Sequence, residues 1–272
     1  MHLAVNQAWE SRVALLCRHV RAAYPSRMIA SQSEVNPDAK FLAVEGRLRE
    51  RYGDRQWRSH GPPLDVLIST VLSQHTSDIN TARAFSSLQR RFKTWDDVAG
   101  AETAEVADAI RCGGLANVKA PRIQTILRDI DDEQRRTSLA RLGESSLEEA
   151  RLWLLGLHGV GPKTAACVLL FSLGKPALPV DTHVHRVAKR VGLIAARVGA
   201  EEAHVALESH LGGNRDRVYA FHLNMIAHGR LVCKAGRPAC DRCPVTEHCD
   251  FFLALTYNRS QANVRPSSPV GG

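Results

Sequence analysis

The sequence predicts an all-α fold. Three observations carry that expectation. Apolar residues recur at helical spacing along most of the chain. No stretch alternates apolar with polar residues and β-branched enrichment, as a half-buried strand would. Glycine, proline and short polar runs cut the periodic stretches into helix-sized pieces.

Taken in order, residues 7–24 carry Trp9, Val13, Leu16 and Val20 on one face and stop before Pro25. Residues 26–38 are polar and irregular and read as a linker. A helix follows over 39–52, with Phe41, Leu42 and Leu48 apolar, and ends at Gly53. The stretch 54–63, with Gly61, Pro62 and Pro63, reads as a loop. The helix 64–73 is nearly all apolar and should be central. Further helices are expected over 77–92, 102–111, 118–133, 146–156 and 162–174, with breaks at Thr94, Gly113–Gly114, 134–145 and Gly159. After an extended link with Lys175–Pro176 and Pro179, helices resume over 181–191, 200–211 and 216–231. The C-terminal run YNRSQANVRPSSPVGG, residues 257–272, reads as disordered.

Composition narrows the function classes. The 272 residues carry 36 Lys+Arg against 28 Asp+Glu, a formal +8, which favours a polyanionic partner. The most apolar stretch, Ala165 to Gly174, is too short to span a bilayer, so no membrane role is expected. The opening MHLAVNQAWESRV lacks a basic region followed by an apolar one. The expected location is therefore cytoplasmic and nucleoid-associated. In that compartment the seven cysteines are not expected to form disulfides.

Residues 157–165 read LHGVGPKTA. Gly159 and Gly161 are expected to adopt backbone conformations closed to other residues, and Pro162 suits the first turn of a helix. Helix 146–156, turn 157–161 and helix 162–174 would then form one helix–hairpin–helix unit. Bare glycine amides before a helix N-terminus make an anion site that can hold a phosphate without reading sequence. Lys163 follows directly. Eighteen residues on, Asp181 precedes a helical pattern after Pro179 and is placed at an N-cap. A desolvated lysine can attack carbon, and a carboxylate can shuttle its protons. Over 162–192, Lys163, Lys175, Arg186, Lys189 and Arg190 outnumber Asp181, as a DNA-facing surface would require.

These segments, LHGVGPKTAACVLL and ALPVDTHVHRVAKRVGL, together with the cysteine tail CKAGRPACDRCPVTEHC, resemble the endonuclease III branch of the helix–hairpin–helix DNA glycosylases. The resemblance covers about residues 39 to 252. It implies that Lys163 is the nucleophile and Asp181 its essential partner. A lysine at that position implies a bifunctional glycosylase that also cleaves abasic sites. The implied substrate is duplex DNA holding an oxidised pyrimidine of the thymine glycol type, with abasic sites as a further substrate, and the protein is expected as a monomer. Two other readings stand beside it: a monofunctional or mismatch-type glycosylase, and a non-catalytic DNA-binding scaffold with the same fold.

The spacing Cys233-x6-Cys240-x2-Cys243-x5-Cys249 brings four soft ligands close enough for a metal. Spacing alone favours zinc, whereas the resemblance implies a [4Fe–4S] cluster in a structural role. Lys234, Arg237 and Arg242 are placed there as phosphate contacts. An enzyme acting on a base must extrude it and fill the gap. The resemblance assigns that work to LSQHTSD, residues 72–78, and to GGLANVK, residues 113–119. Either Gln74 or His75 serves from the first, and Leu115 from the second, followed here by the small Ala116. The histidines His183, His185, His222 and His228 read as packing, hydrogen-bonding or phosphate-facing groups.

The fold implied is two helical lobes with DNA in the cleft between them. A six-helix lobe spans 62–175 and a cluster lobe joins 37–61 to 176–256. Residues 1–36 form an N-terminal extension and 257–272 a tail.

Overall fold

The computed structural model describes residues 37–131, 139 and 141–263. The helix expected over 7–24, most of the expected linker 26–38 and residues 264–272 lie outside the described residues. Every regular element among the described residues is helical. The described residues divide into two compact units, one holding Trp57–Pro179 and the other joining 37–56 with 180–263.

The first unit contains α2 (Pro63–Leu72), α3 (Asp78–Arg91), α4 (Trp95–Gly100), α5 (Thr103–Ala109), α6 (Ala116–Asp131), α7 (Leu147–Leu155) and α8 (Pro162–Phe171). Helix α2 is its centre, because Val66, Leu67, Ile68, Thr70, Val71 and Leu72 are all buried. Helix α8 packs against it with an equally apolar run, Ala165 to Leu170. Helix α6 supplies Ala120, Ile123, Ile126, Leu127 and Ile130 to the same core. Burying such side chains yields roughly 1.5–3 kcal/mol each before entropy is charged, so this core dominates the unit's stability.

The second unit contains α1 (Pro37–Tyr52), α9 (Thr182–Val191), α10 (Ala200–Glu208), α11 (Arg215–Leu231) and α12 (Asp250–Asn263). Helix α1 is distant in sequence yet is held by specific bonds. Arg217 grips Glu45 through both carboxylate oxygens at 2.7 and 2.6 Å. Lys40 meets Asp250 at 2.5 Å. The buried Phe41 ring stacks on His210 and Phe221.

Three expectations change. Thr94 is not simply a break: its hydroxyl accepts from the Asp97 amide while the Asp97 carboxylate accepts from the Thr94 amide, a capping box that starts α4. The helix expected over 102–111 is shorter and ends in a 3₁₀ turn, Arg111–Gly113. Helix α12 continues to Asn263, so residues 257–263 of the expected disordered tail are helical.

Candidate functional site

In the first unit the turn between α7 and α8 is anchored on α6. The His158 amide donates to Asp129 Oδ2 at 3.1 Å, and its ring Nδ1 lies 2.8 Å from the same oxygen. Gly159 has φ +78°, and a Cβ there would meet Arg122 Cγ and Cδ at 3.2 Å. The expectation for Gly161 is corrected: its φ is −94° with open space around a would-be Cβ. Gly161 is instead the N-cap of α8 without a side-chain cap, so the amides of the first turn remain open to an outside acceptor. Lys163 is the second residue of α8 and is half-buried. Among the described residues no hydrogen bond or ion pair holds its amine.

The same unit carries two further loops. Residues 73–77 link α2 to α3, and 110–115 link α5 to α6. Their tips are His75, φ +52°, and Leu115, φ +51°. Among the described residues these are the two non-glycine residues in the left-handed region. Both side chains are exposed, Leu115 to 53%. Gln74 is engaged elsewhere, because Arg122 donates to its Oε1 at 2.7 Å. The alternative between Gln74 and His75 thus acquires a geometric difference: His75 faces solvent, and Gln74 is tied to α6.

Below the loops lies a residue the sequence reading passed over. Lys119 is 2% exposed, and among the described residues it pairs with no carboxylate. Its Nζ donates to Leu72 O at 2.7 Å, to Gly113 O at 2.9 Å and to Thr76 Oγ1 at 3.4 Å. Burial pushes its pKa below the usual lysine value. The signal was present in the sequence: 119, 123, 126 and 130 form one helical stripe, and a lysine at its head needs internal acceptors.

In the second unit Asp181 caps α9. Its Oδ1 accepts from the His183 and Val184 amides at 2.9 and 2.8 Å, leaving Oδ2 outside the cap. The same α9 corrects the charge reading of 162–192. Arg186 donates to Cys233 O and Gly229 O, and Arg190 to Lys234 O and Ala235 O. In the first unit Lys175 is spent on Gly143 O and Ser145 O. Three of those five cations therefore bind main-chain carbonyls rather than forming a free basic face.

Cys233, Cys240, Cys243 and Cys249 line one cavity of ≈ 310 Å³, its open mouth included, with Val191, His228 and Val245 among its walls. Among the described residues no three His, Cys, Asp or Glu side chains converge on a single metal position. Burial pushes the Cys243 thiol up to about 11, and the neighbouring cysteines add to the rise. Burial likewise raises Cys249. Four sulfurs with no hard oxygen donor fit a thiolate-bound centre, and a bound cation would hold them deprotonated. Arg190 donates to Cys233 Sγ at 3.5 Å, and His228 Nε2 lies 3.6 Å from Cys243 Sγ. His228 Nδ1 lies 3.0 Å from the Tyr52 hydroxyl, so this histidine is hydrogen-bonded, as expected, and it also borders the cysteine cavity. Lys234, Arg237 and Arg242 are exposed on the loops between the cysteines.

Comparison with known proteins gives a consistent picture. The family model described as HhH-GPD superfamily base excision DNA repair protein matches residues 68–211. Endonuclease III of Thermotoga maritima is 40% identical over 190 residues, covering 70% of this chain and 84% of that protein. Endonuclease III of Sulfolobus acidocaldarius is 32% identical over 190 residues, covering 69% and 82%. Among solved structures, a trapped endonuclease III–DNA covalent intermediate matches with a TM-score of 0.67 at 26% identity, over 82% of this chain and 100% of that one.

Proposed function

Because the chain belongs to the endonuclease III family of HhH-GPD base excision DNA repair proteins, we infer that it is a bifunctional DNA glycosylase and abasic-site lyase that removes oxidised pyrimidines from duplex DNA. The observation that carries this reading is Lys163, an unpaired amine at the first turn of α8 behind uncapped glycine amides. A monofunctional glycosylase needs no amine there. The solved relative trapped as a covalent enzyme–DNA intermediate supports the same chemistry.

The open amides of Gly161 and the first turn of α8 hold a phosphate of the damaged strand. The extruded nucleotide leaves a gap that His75 and Leu115 fill. The Lys163 amine attacks the sugar C1′ and the C1′–N bond breaks, so the base departs with the bonding pair and takes up a proton. The attached nitrogen gives up one proton, the C1′–O4′ bond breaks and O4′ takes up a proton, leaving a C1′ iminium that keeps one N–H. That iminium acidifies the C2′ proton, whose removal expels the 3′ phosphate oxygen. The strand is cut on that side by β-elimination. Asp181, with Oδ1 committed to the helix cap, has Oδ2 for holding and moving the proton.

The four cysteines are assigned to a [4Fe–4S] cluster, which when bound cross-links the loops carrying Lys234, Arg237 and Arg242 and takes no part in base removal. Membership of the endonuclease III family supports the cluster over zinc. The substrate is duplex DNA with a damaged base or an abasic site, and the protein works as a monomer.

The test is borohydride trapping on two duplexes, one with a single thymine glycol and one with a single abasic site. An adduct on both, absent in Lys163→Ala, is expected. An adduct on the abasic duplex alone would remove thymine glycol as the substrate and keep the lyase. No adduct on either, with DNA binding intact, would overturn the bifunctional reading.

A further inference from the structure

The two left-handed residues, His75 and Leu115, belong to loops far apart in sequence, and one buried group joins those loops. A left-handed backbone is unfavourable for both residue types, so it persists only where the surroundings over-determine it. The His75 loop starts from Leu72, whose carbonyl accepts from Lys119 Nζ. The Leu115 loop contains Gly113, whose carbonyl accepts from the same Nζ. Thr76, next to His75, closes the arrangement: its hydroxyl donates to Gly113 O and accepts from Lys119. All three N–H bonds of the ammonium are therefore used, on the last residue of α2 and on the two loops that follow α2 and α5. The Gly113–Gly114 segment has little room to shift, because a Cβ on Gly113 would stand 3.0 Å from Ala84 Cβ of α3.

A buried cation without a carboxylate is costly to keep. An apolar residue would pack against Ile123 and its neighbours more cheaply. What an apolar residue cannot do is satisfy two inward-facing carbonyls from different loops and fix their separation. One turn further along α6, Arg122 holds Gln74 and so braces the first loop a second time.

We propose that Lys119 is a positioning residue, whose ammonium sets the separation of His75 and Leu115 so that both side chains enter the gap of an extruded base together. The proposal rests on the reading above that these two residues fill that gap. Lys119 itself, nearly sealed from solvent, acts through the loops and not on the DNA.

The experiment is a double-mutant cycle on full-length protein with a thymine glycol duplex under single-turnover conditions. The four proteins are wild type, K119M, H75A/L115A and the combined triple variant. Circular dichroism and a thermal melt verify the fold of each, and hydrogen exchange of the DNA-free protein is followed over 72–78, 110–117 and 162–171. K119M is expected to slow excision by about tenfold in the wild-type background and by no more than about twofold in the H75A/L115A background. Exchange should quicken in both loops and stay unchanged over 162–171. An equal slowing in both backgrounds, or unchanged exchange in the loops, overturns the proposal. If H75A/L115A slows excision and K119M does not, the gap-filling reading stands and the Lys119 proposal fails. If H75A/L115A keeps the wild-type rate, both fail. Should K119M not fold, Thr76→Val removes the hydroxyl shared by Lys119 and Gly113 and must give the same non-additive pattern, at about threefold.

Discussion

Arg122 donates to Gln74 Oε1 at 2.7 Å, and its side chain also lies against Gly159 in the hairpin turn. One arginine on α6 thus braces the α2–α3 loop and the hairpin, and leaves His75 as the exposed residue of its pair.

His75→Ala should therefore reduce single-turnover excision more than Gln74→Ala does. A stacked or wedged side chain is worth about 1–3 kcal/mol, so a loss of roughly tenfold is expected for His75→Ala. Gln74→Ala should cost about threefold or less, through loosening of the loop. The reverse order of the two rates would reassign the gap-filling role to Gln74.

Asp181 combines a cap with chemistry, and the two can be separated. Asn caps as well as Asp, so Asp181→Asn should change stability by only about 0.5 kcal/mol while excision falls by about 10² or more. Asp181→Ala should lose the same activity and in addition about 1 kcal/mol of stability. Denaturant midpoints alongside excision rates decide it; an active Asp181→Asn would leave only the cap.

The two hairpin glycines should respond differently to alanine. Gly159→Ala forces a side chain into the left-handed region and against Arg122, and should destabilise by about 1–2 kcal/mol. Gly161→Ala meets open space at φ −94° and should change stability by less than about 0.5 kcal/mol. Urea unfolding of the two variants provides the comparison, and equal midpoints would contradict the assigned backbone geometry.

Arg190 joins the cysteine loop to α9 through Lys234 O, Ala235 O and Cys233 Sγ. On the proposed cluster assignment, Arg190→Met should lower the visible iron–sulfur absorbance per protein chain by about half or more, since partners of ligand loops govern metal retention. Lys189→Met, one residue away, should leave that absorbance unchanged. Equal absorbance in both variants would show that Arg190 does not hold the loop.

His60 stacks on Phe171, and burial, with Arg58 adding to it, lowers its pKa. A folded-state pKa below the unfolded value means that the unfolded chain takes up the proton first as pH falls. Stability is then intact above about 6.5 and declines below it, and only slightly, because the ring is exposed and solvent screens it. His60→Leu should flatten that acid slope in chemical denaturation between pH 6.5 and 5. An unchanged slope would place the titration elsewhere.

What the sequence determined by itself was local or covalently spaced. The all-α class follows from periodicity. The cap at Asp181 follows from residues within one turn, and the cysteine spacing lies within 17 consecutive residues of the chain. The hairpin with its lysine is a contiguous string. Even so, α4 was hidden, because Thr94 reads equally as a stop and as a cap until its partner Asp97 is seen to reciprocate.

Tertiary structure decided the rest, because the deciding bonds join residues far apart in the chain. Lys119 reaches Leu72 across 47 residues, Arg122 reaches Gln74 across 48, and Arg190 reaches Lys234 across 44. A lysine or arginine in a string shows its charge but not its acceptor. Three of the five cations counted as a DNA-facing run are bound to carbonyls instead. The choice between Gln74 and His75 has the same origin. The two are adjacent in sequence, and they differ only because the fold gives one an arginine to hold and turns the other to solvent in a left-handed backbone.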